Sequence, residues 1–288
     1  MGISSDYKRS LKSVEAEEFF DLYVFRPISF VFVKLIYGTK ITPNQISSIA
    51  LLFGIVSGIF YAFGSYESMI LAVISLFLCN VLDCADGQLA RLKNNGTKIG
   101  RIIDGFIDYL TSISVFLGIG IALSNFTGNP IYSWGITIAA GLSKAFQNMK
   151  FDYYRNLYLE YVYGKVSKLN DEISEFKDEK DRIIKNTGNR FEVFLIDLYL
   201  LYSRMQMNTA KPVEIETSPE NYRKKNETLL RLWGWIGSTT HLVFLITFTL
   251  FNRFDIYLIL TVTLGNFVLI MLTIWQKSVI KSLAPKIA

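Results

Sequence analysis

Long apolar runs, short polar breaks and one long polar stretch make up this chain. A helix that crosses a bilayer needs about 20 predominantly apolar residues. Six runs approach or exceed that length: 41–64, 68–92, 98–123, 130–149, 232–251 and 255–275. The pattern predicts an all-α polytopic membrane protein with six transmembrane helices. Ahead of the first run, 14–37 carries Phe19, Phe20, Tyr23, Val24, Ile28, Phe30, Val31 and Ile36, broken by Arg26-Pro27 and Lys34. A short apolar face interrupted in this way predicts an interfacial amphipathic helix and not a seventh span.

The polar stretch, 151–231, breaks the alternation of span and loop. Within it Leu169, Ile173, Phe176, Ile183 and Ile184 recur at helical spacing among many charges, the pattern of a solvated amphipathic helix. The segment 191–202 is apolar but short and interrupted by Glu192 and Asp197. It predicts an interfacial or partner-facing helix, and 211–219 reads as loop. Four regions follow: 1–40, a cytoplasmic N-terminus and interfacial helix; 41–150, spans one to four; 151–231, a cytoplasmic insert; and 232–288, spans five and six with a basic tail.

Charge sets the expected orientation. Of 288 residues, 51% are hydrophobic and 19% charged, with a net charge of +5. In a membrane protein an excess of Lys and Arg marks the cytoplasmic loops. The loops after spans one and three hold neither residue, whereas Lys8, Arg9, Lys12, Lys93, Lys98, Lys150 and Arg155 fall on the other side. Both termini are therefore expected in the cytoplasm, and the positive charge implies no nucleic-acid partner. Cys79 and Cys84 make neither a disulfide framework nor a metal-type pair; they read as small buried hydrophobes.

Candidate chemistry lies at the ends of spans two and three. Asp83 and Asp86 are three apart, and Asp104 and Asp108 four apart, so each pair shares a helix face. Asn94, Asn95 and Gly96 favour a turn that folds the second pair back onto the first. Ionisable groups inside membrane helices cost about 2.5–3.5 kcal/mol each on insertion scales, and four carboxylates repel one another. A cation resolves both costs. Oxygen-only ligands select a hard ion, Mg²⁺ or Mn²⁺, and Mg²⁺ commonly shares its shell with phosphate. Gly87 and Ala90 keep the Asp83/Asp86 side free of bulk. Gly100 and Gly105 are expected to let the partner helix approach closely. Spacing leaves Arg91 open between pairing with phosphate oxygens and forming a structural ion pair.

The run D-x2-D-G-x2-A-R-x8-G-x3-D-x3-D, from Asp83 to Asp108, resembles the signature of the CDP-alcohol phosphotransferase (phosphatidyltransferase) family at every fixed position. The resemblance implies a phospholipid-synthesis transferase that moves a phospho-alcohol group from a CDP-alcohol donor to an acceptor hydroxyl and releases CMP. It implies two Mg²⁺ ions, bridged by Asp83 and Asp104, with Asp86 a ligand of one and Asp108 a ligand of the other and the general base. It further implies nucleotide contacts at Gly87, Arg91, Thr97, Pro43 and Asn44, an active site at the cytoplasmic face, and a homodimer. The stretches Arg26-Pro27-Ile28-Ser29 and Thr42-Pro43-Asn44-Gln45 look similar to members acting on CDP-inositol and inositol phosphate, an alternative that would make a soluble phosphodiester.

Plainer readings stand beside these. The single histidine, His241, reads as a buried or interfacial polar residue. Lys144, Asn148, Lys150 and Arg155 are explained by positive-inside bias or by an anionic acceptor, and Arg101 has the same two readings. A cation transporter and a non-catalytic scaffold are the rivals from other classes. Transport sites tend to lie at the midplane between repeats, but these carboxylates sit at helix ends and no repeat is visible.

Overall fold

The computed structural model describes residues 3–164, 169–185, 189–209, 215 and 217–283. The expected loop at 211–219 falls largely outside the described residues, as do the tail beyond residue 283 and the side chains of Leu169 and Lys98. All regular structure among the described residues is helical.

A short α1 (Ile3–Ser10) is followed by an irregular strap and a π turn, Asp21–Phe25, that runs without a break into α2 (Arg26–Ile36). Pro27 has no N–H to give a preceding carbonyl. The wider π turn absorbs that defect, with Arg26 N–H reaching back to the Asp21 carbonyl. The Arg-Pro pair therefore marks a π turn and not the end of a helix. Outward-facing Val24, Ile28, Val31 and Leu35 are exposed along one side of this helix, while Phe25, Phe30 and Val33 are buried on the other. That is the amphipathic helix expected ahead of the spans.

Four long helices follow, and their caps are written in the sequence. α3 (Pro43–Phe63) opens on a capping box: Thr42 Oγ accepts from Gln45 N–H, and Gln45 Oε1 accepts from Thr42 N–H at 3.0 Å. Pro43 takes the first helical position, where no N–H is needed. α4 (Tyr66–Lys93) is capped by Ser65 and closed by Asn94 in the left-handed region. α5 (Lys98–Thr127) is capped by Thr97, and α6 (Pro130–Tyr163) by Asn129.

Small residues hold α3 against α4 and α5. A Cβ on Gly118 would overlap the Gly58 carbonyl, and one on Gly54 would overlap the Thr111 side chain. Ser57 donates to the Ala72 carbonyl at 2.8 Å. Gly54, Gly58 and Gly118 thus carry the close approach. The expectation for Gly105 is corrected, since a Cβ there would meet nothing within 4 Å; at Gly100 the nearest atom is its own cap, Thr97 Oγ1.

Five helical segments are long and apolar enough to cross a membrane: Pro43–Phe63, Tyr66–Lys93, Ile99–Thr127, Pro219–Leu250 and Phe254–Lys281. The expected fourth span, 130–149, is not among them. It forms part of α6, whose 34 residues would reach about 50 Å at 1.5 Å per residue. Inward polar groups make it less apolar than the other spans: Ser133, Thr137 and Gln147 are buried, while Ile131, Ile138, Leu142 and Phe146 face outward. The protein is an all-α polytopic membrane protein with a polar seam along α6.

The last two spans are both interrupted. α9 (Pro219–Trp233) meets α10 (Ser238–Leu250) through a tight turn at Gly234–Ile236. α11 (Phe254–Leu260) and α12 (Asn266–Lys281) are joined by a π turn, Thr261–Gly265. Gln147 of α6 enters that turn, donating to the Thr261 carbonyl at 3.1 Å and to Asn266 Oδ1 at 3.0 Å. An inserted side chain of this kind satisfies backbone groups that a π turn frees.

The polar stretch after α6 includes a hairpin of α7 (Leu169–Lys185) and α8 (Arg190–Thr209). Ile173 and Phe176 of α7 and Leu195, Ile196 and Leu200 of α8 bury against Ile102, Ile103 and Phe106 of α5.

Candidate functional site

The two acidic pairs meet. One carboxylate oxygen each from Asp83, Asp86 and Asp104 falls within 4.8 Å of the others. Asp104 and Asp108 both lie within electrostatic range of Asp83. The turn at residues 94–97 sets this geometry. Asn94 closes α4 in the left-handed region, with its N–H on the Ala90 and Arg91 carbonyls. Thr97 then starts α5 one short loop later, its Oγ1 accepting from Gly100 N–H at 2.9 Å.

Asp86 is buried, and Ser47 of α3 donates to its Oδ2. Asp108 instead is exposed. With Asp83 it borders a cavity of about 60 Å³, whose wall includes Asn80, Ser112, Lys144 and His241. Lys144 Nζ donates to Ser112 Oγ at 3.0 Å. Asp83 and Asp86 thus sit deeper, and Asp108 has the open side.

The donor set fits a hard divalent cation. An octahedral Mg²⁺ with oxygens about 2.1 Å away sets cis ligands about 3 Å apart and trans ligands about 4.2 Å apart. Oxygens already within 4.8 Å of one another need only small side-chain adjustment to reach that spacing. All three donors are carboxylates, with no sulfur or imidazole among them.

Cations approach the site from the other side. Lys12, Arg26 and Arg91 all lie within electrostatic range of Asp104. Arg91 Nε donates to the Ser10 carbonyl, and its Nη2 is buried without a hydrogen-bond partner among the described residues. A Cβ at Gly87 would stand 3.3 Å from that same Nη2. Gly87 therefore makes the room that the Arg91 guanidinium uses. Arg26, mostly buried, is paired with Glu17 at 3.0 Å. The charge of Arg155 holds Lys12 down to about 8.

The segment from Thr42 to Gln45 comes to the same place. Asn44 Oδ1 would lie 3.7 Å from a Cβ at Gly100, so Asn44, Gly100 and Thr97 converge where α3 and α5 begin. Lys93, at the end of α4, donates to the carbonyls of Thr39 and Ile41, both at 3.0 Å, and ties the loop before Pro43 to the acidic helix.

Other singled-out residues lie outside the carboxylate cluster. Arg101 pairs with Glu172 of α7 at 3.3 Å. Lys150 is buried, with its Nζ 5.9 Å from the Phe146 ring centroid. Arg155 pairs with Asp152 at 2.7 Å, and Asn148 Oδ1 is buried without a hydrogen bond among the described residues. His241 is buried, its Nε2 2.8 Å from Gln147 Oε1 and its Nδ1 3.3 Å from Tyr257 OH, as a structural polar residue would be. Both cysteines are free and buried.

Sequence reasoning missed Ser47 and the strap. Glu18 is buried under the start of α10, accepting from Thr239 N–H at 3.1 Å and Thr240 N–H at 3.1 Å. Glu15 accepts from Tyr158 OH at 2.6 Å and Arg223 Nε at 3.1 Å. These partners lie 143 to 222 residues away in sequence, so no local pattern could have announced them.

Comparison with known proteins agrees with this geometry. Residues 40–153 match the profile of the CDP-alcohol phosphatidyltransferase family. The chain is 29% identical over 164 residues, 57% of its length, to a bifunctional IPC transferase and DIPP synthase of Thermococcus kodakarensis. It is 35% identical over 88 residues, 31% of its length, to an archaetidylinositol phosphate synthase of Pyrococcus horikoshii. It is 30% identical over 83 residues, 29% of its length, to a phosphatidylinositol phosphate synthase of Corynebacterium glutamicum. The matched stretches cover 33%, 45% and 37% of those relatives' own lengths. The profile spans α3, α4, α5 and the greater part of α6, and it contains every residue of the acidic cluster. Residues 40–153, and with them the whole acidic cluster, thus match a CDP-alcohol phosphatidyltransferase domain.

Proposed function

We propose that the protein is a Mg²⁺-dependent transferase that moves a phospho-alcohol group from a CDP-alcohol to an acceptor hydroxyl and releases CMP. The observation that carries this reading is the convergence of Asp83, Asp86 and Asp104 on one point between two helices. Those three, with Asp108, would hold two divalent ions, Mg²⁺ or Mn²⁺. Bound there, the ions would neutralise the diphosphate and the charge that develops on the departing phosphate.

The chain's own residues supply the rest. Gly87 leaves space against α4, and the unpartnered Nη2 of Arg91 is placed to meet a donor phosphate oxygen. Pro43, Asn44 and Thr97 flank the nucleotide end of the site. Asp108, the most accessible of the four carboxylates, takes the proton from the acceptor hydroxyl as it attacks phosphorus. Lys144, bordering the same cavity, faces the acceptor side. Positive-inside bias supports a cytoplasmic opening for the site.

The acceptor we infer is a phosphorylated polyol of the inositol phosphate type. Two relatives are by name an archaetidylinositol phosphate synthase and a phosphatidylinositol phosphate synthase, and Lys144 at the cavity supplies a cation suited to a phosphate. The competing arrangement has a soluble CDP-alcohol such as CDP-inositol as donor.

The test is CMP release from the purified, detergent-solubilised protein, with a panel of CDP-alcohols and acceptors and with Mg²⁺ added or chelated. Release that needs Mg²⁺ and one donor–acceptor pair supports the reading and names the pair. A folded protein that releases no CMP with any pair overturns it. Acceptance of glycerol phosphate in place of inositol phosphate overturns the acceptor alone.

A further inference from the structure

The face that α8 turns outward is built for a lipid surface. Phe191, Phe194, Leu201 and Met205 are each about half exposed, and Leu198 completes the series. Their spacing alternates three and four residues, which keeps all five on one side of a helix. The opposite side, Leu195, Ile196 and Leu200, is buried against α7 and α5. The hairpin therefore uses one apolar face to fold and leaves a second one open.

What covers the second face follows from where the hairpin docks. On α5 the exposed residues Tyr109, Ile113, Leu117 and Ile121 form the outward stripe of a membrane-crossing helix. Toward the start of α5 the same stripe continues as Ile102 and Phe106, at helical spacing. There the hairpin sits: Phe106 meets Phe191 and Phe194 with ring centroids 6.3 Å apart in each case. Tyr109 meets Tyr202 at 6.1 Å, and Gln206 Nε2 donates to the Met149 carbonyl of α6 at 3.4 Å. The open stripe of α8 is thus continuous with the lipid-facing surface of α5, at the end of the span.

Charge agrees with that placement. Arg190 and Arg204 flank the stripe on its polar edge. A groove of about 310 Å³ beside Leu201 is lined by Lys177, Lys180 and Arg204 with Asp181 and Asp197. Counting Arg190, the rim has four cations to two anions. Basic residues at the edge of an apolar helix face favour anionic headgroups.

We infer that α8 is a second membrane-surface helix. It lies at the bilayer boundary with Phe191, Phe194, Leu198, Leu201 and Met205 in the outer acyl region and its basic rim among anionic headgroups. The helix thereby secures the outer side of α5, whose opposite side bears Asp104 and Asp108. This inference rests on α5 being a span and is independent of the reaction the site performs.

The experiment uses the full chain in vesicles of phosphatidylcholine and phosphatidylglycerol. Leu201→Cys and Met205→Cys are labelled with a small fluorophore, with Arg204→Cys and Asp178→Cys as polar-face controls. Cys79 and Cys84 are buried, and unsubstituted protein sets the labelling background. An interfacial helix buries its apolar face about 5–10 Å below the headgroups, so lipids brominated at shallow acyl positions should quench labels at 201 and 205 at least about twofold more than the controls. Aqueous iodide should do the reverse. Labels at 201 and 205 that iodide reaches and bromolipid does not would overturn the inference. So would labels shielded from both quenchers, and a Leu201→Cys disulfide between copies would then identify a second chain as the cover. Should these variants misfold, Phe194→Cys reads the same stripe.

Discussion

Asp108 differs from the other three carboxylates in having an open side, and that difference supports its proposed role as the base. Asp83, Asp86 and Asp104 crowd one another, whereas Asp108 is exposed beside Lys144 and the small cavity. Removing a general base costs about 10²–10⁴ in rate. Asp108→Asn is expected to lower CMP release by at least about 10² while the melting temperature in detergent stays unchanged; full activity in the folded variant would remove Asp108 from the mechanism. Ser47 acts one step back. Its hydroxyl donates to Asp86 from a different helix, and partners of this kind typically change metal affinity about 10–100-fold when lost. Ser47→Ala should shift the Mg²⁺ concentration for half-maximal CMP release upward by about tenfold, with the rate at saturating Mg²⁺ recovered. Spacing exposed the four aspartates because helix geometry is local. Ser47 lies 39 residues from Asp86 and was invisible for that reason.

At the scale of elements, the site depends on three helices that pack nearly backbone to backbone. Lipid tails are as apolar as Leu, so helix association in a bilayer relies on close packing and interhelical hydrogen bonds. Gly118 of α5 lies against the Gly58 carbonyl of α3. Gly118→Val forces the two apart, and overpacking usually costs about 1–3 kcal/mol. A melting temperature lowered by several degrees with reduced activity is the expected outcome; an unchanged melting curve would show the contact to be slack. Gly100 and Gly105 were the glycines that the motif brought forward for this role, but the close approach belongs to Gly54, Gly58 and Gly118, outside the acidic run. Helix caps were legible, since Thr42-Pro43-Asn44-Gln45 and Thr97 act on their own first turns. The two π turns were not. One follows from Pro27, but the other needs Gln147 from a helix 114 residues away. That same residue is one of the inward polar groups that make α6 less apolar than the other spans: its polar atoms are used inside the bundle.

Across the whole molecule, the strap between α1 and α2 joins parts that the sequence keeps far apart. It carries Lys12 toward the carboxylates, ties Glu15 to α6 and α9, and sets Glu18 beneath the first turn of α10. Gly237 exists for that last contact, because a Cβ there would overlap the Glu18 carboxyl. Burial pushes the Glu18 carboxyl up to about 8, and Asp21 adds to the rise, against the pull of the Thr240 and Thr239 N–H groups. A carboxyl whose pKa is raised on folding favours the fold most below its unfolded value, about 4.3, and loses that contribution as pH climbs to the folded value. Wild-type stability should therefore fall between about pH 4.3 and pH 8, by an amount on the order of a few kcal/mol. Glu18→Gln keeps an oxygen to accept from Thr239 and Thr240 and removes the titration. Melting temperatures measured in detergent across that window should decline for the wild type and stay flatter for Glu18→Gln. Parallel curves would show that Glu18 is ionised throughout and held by the helix N-terminus instead. Either result bears on the site, because the strap that Glu18 anchors also presents Lys12 to Asp104. Loosening that anchor at alkaline pH would withdraw Lys12 from the side of the site where the proposed donor phosphate would sit.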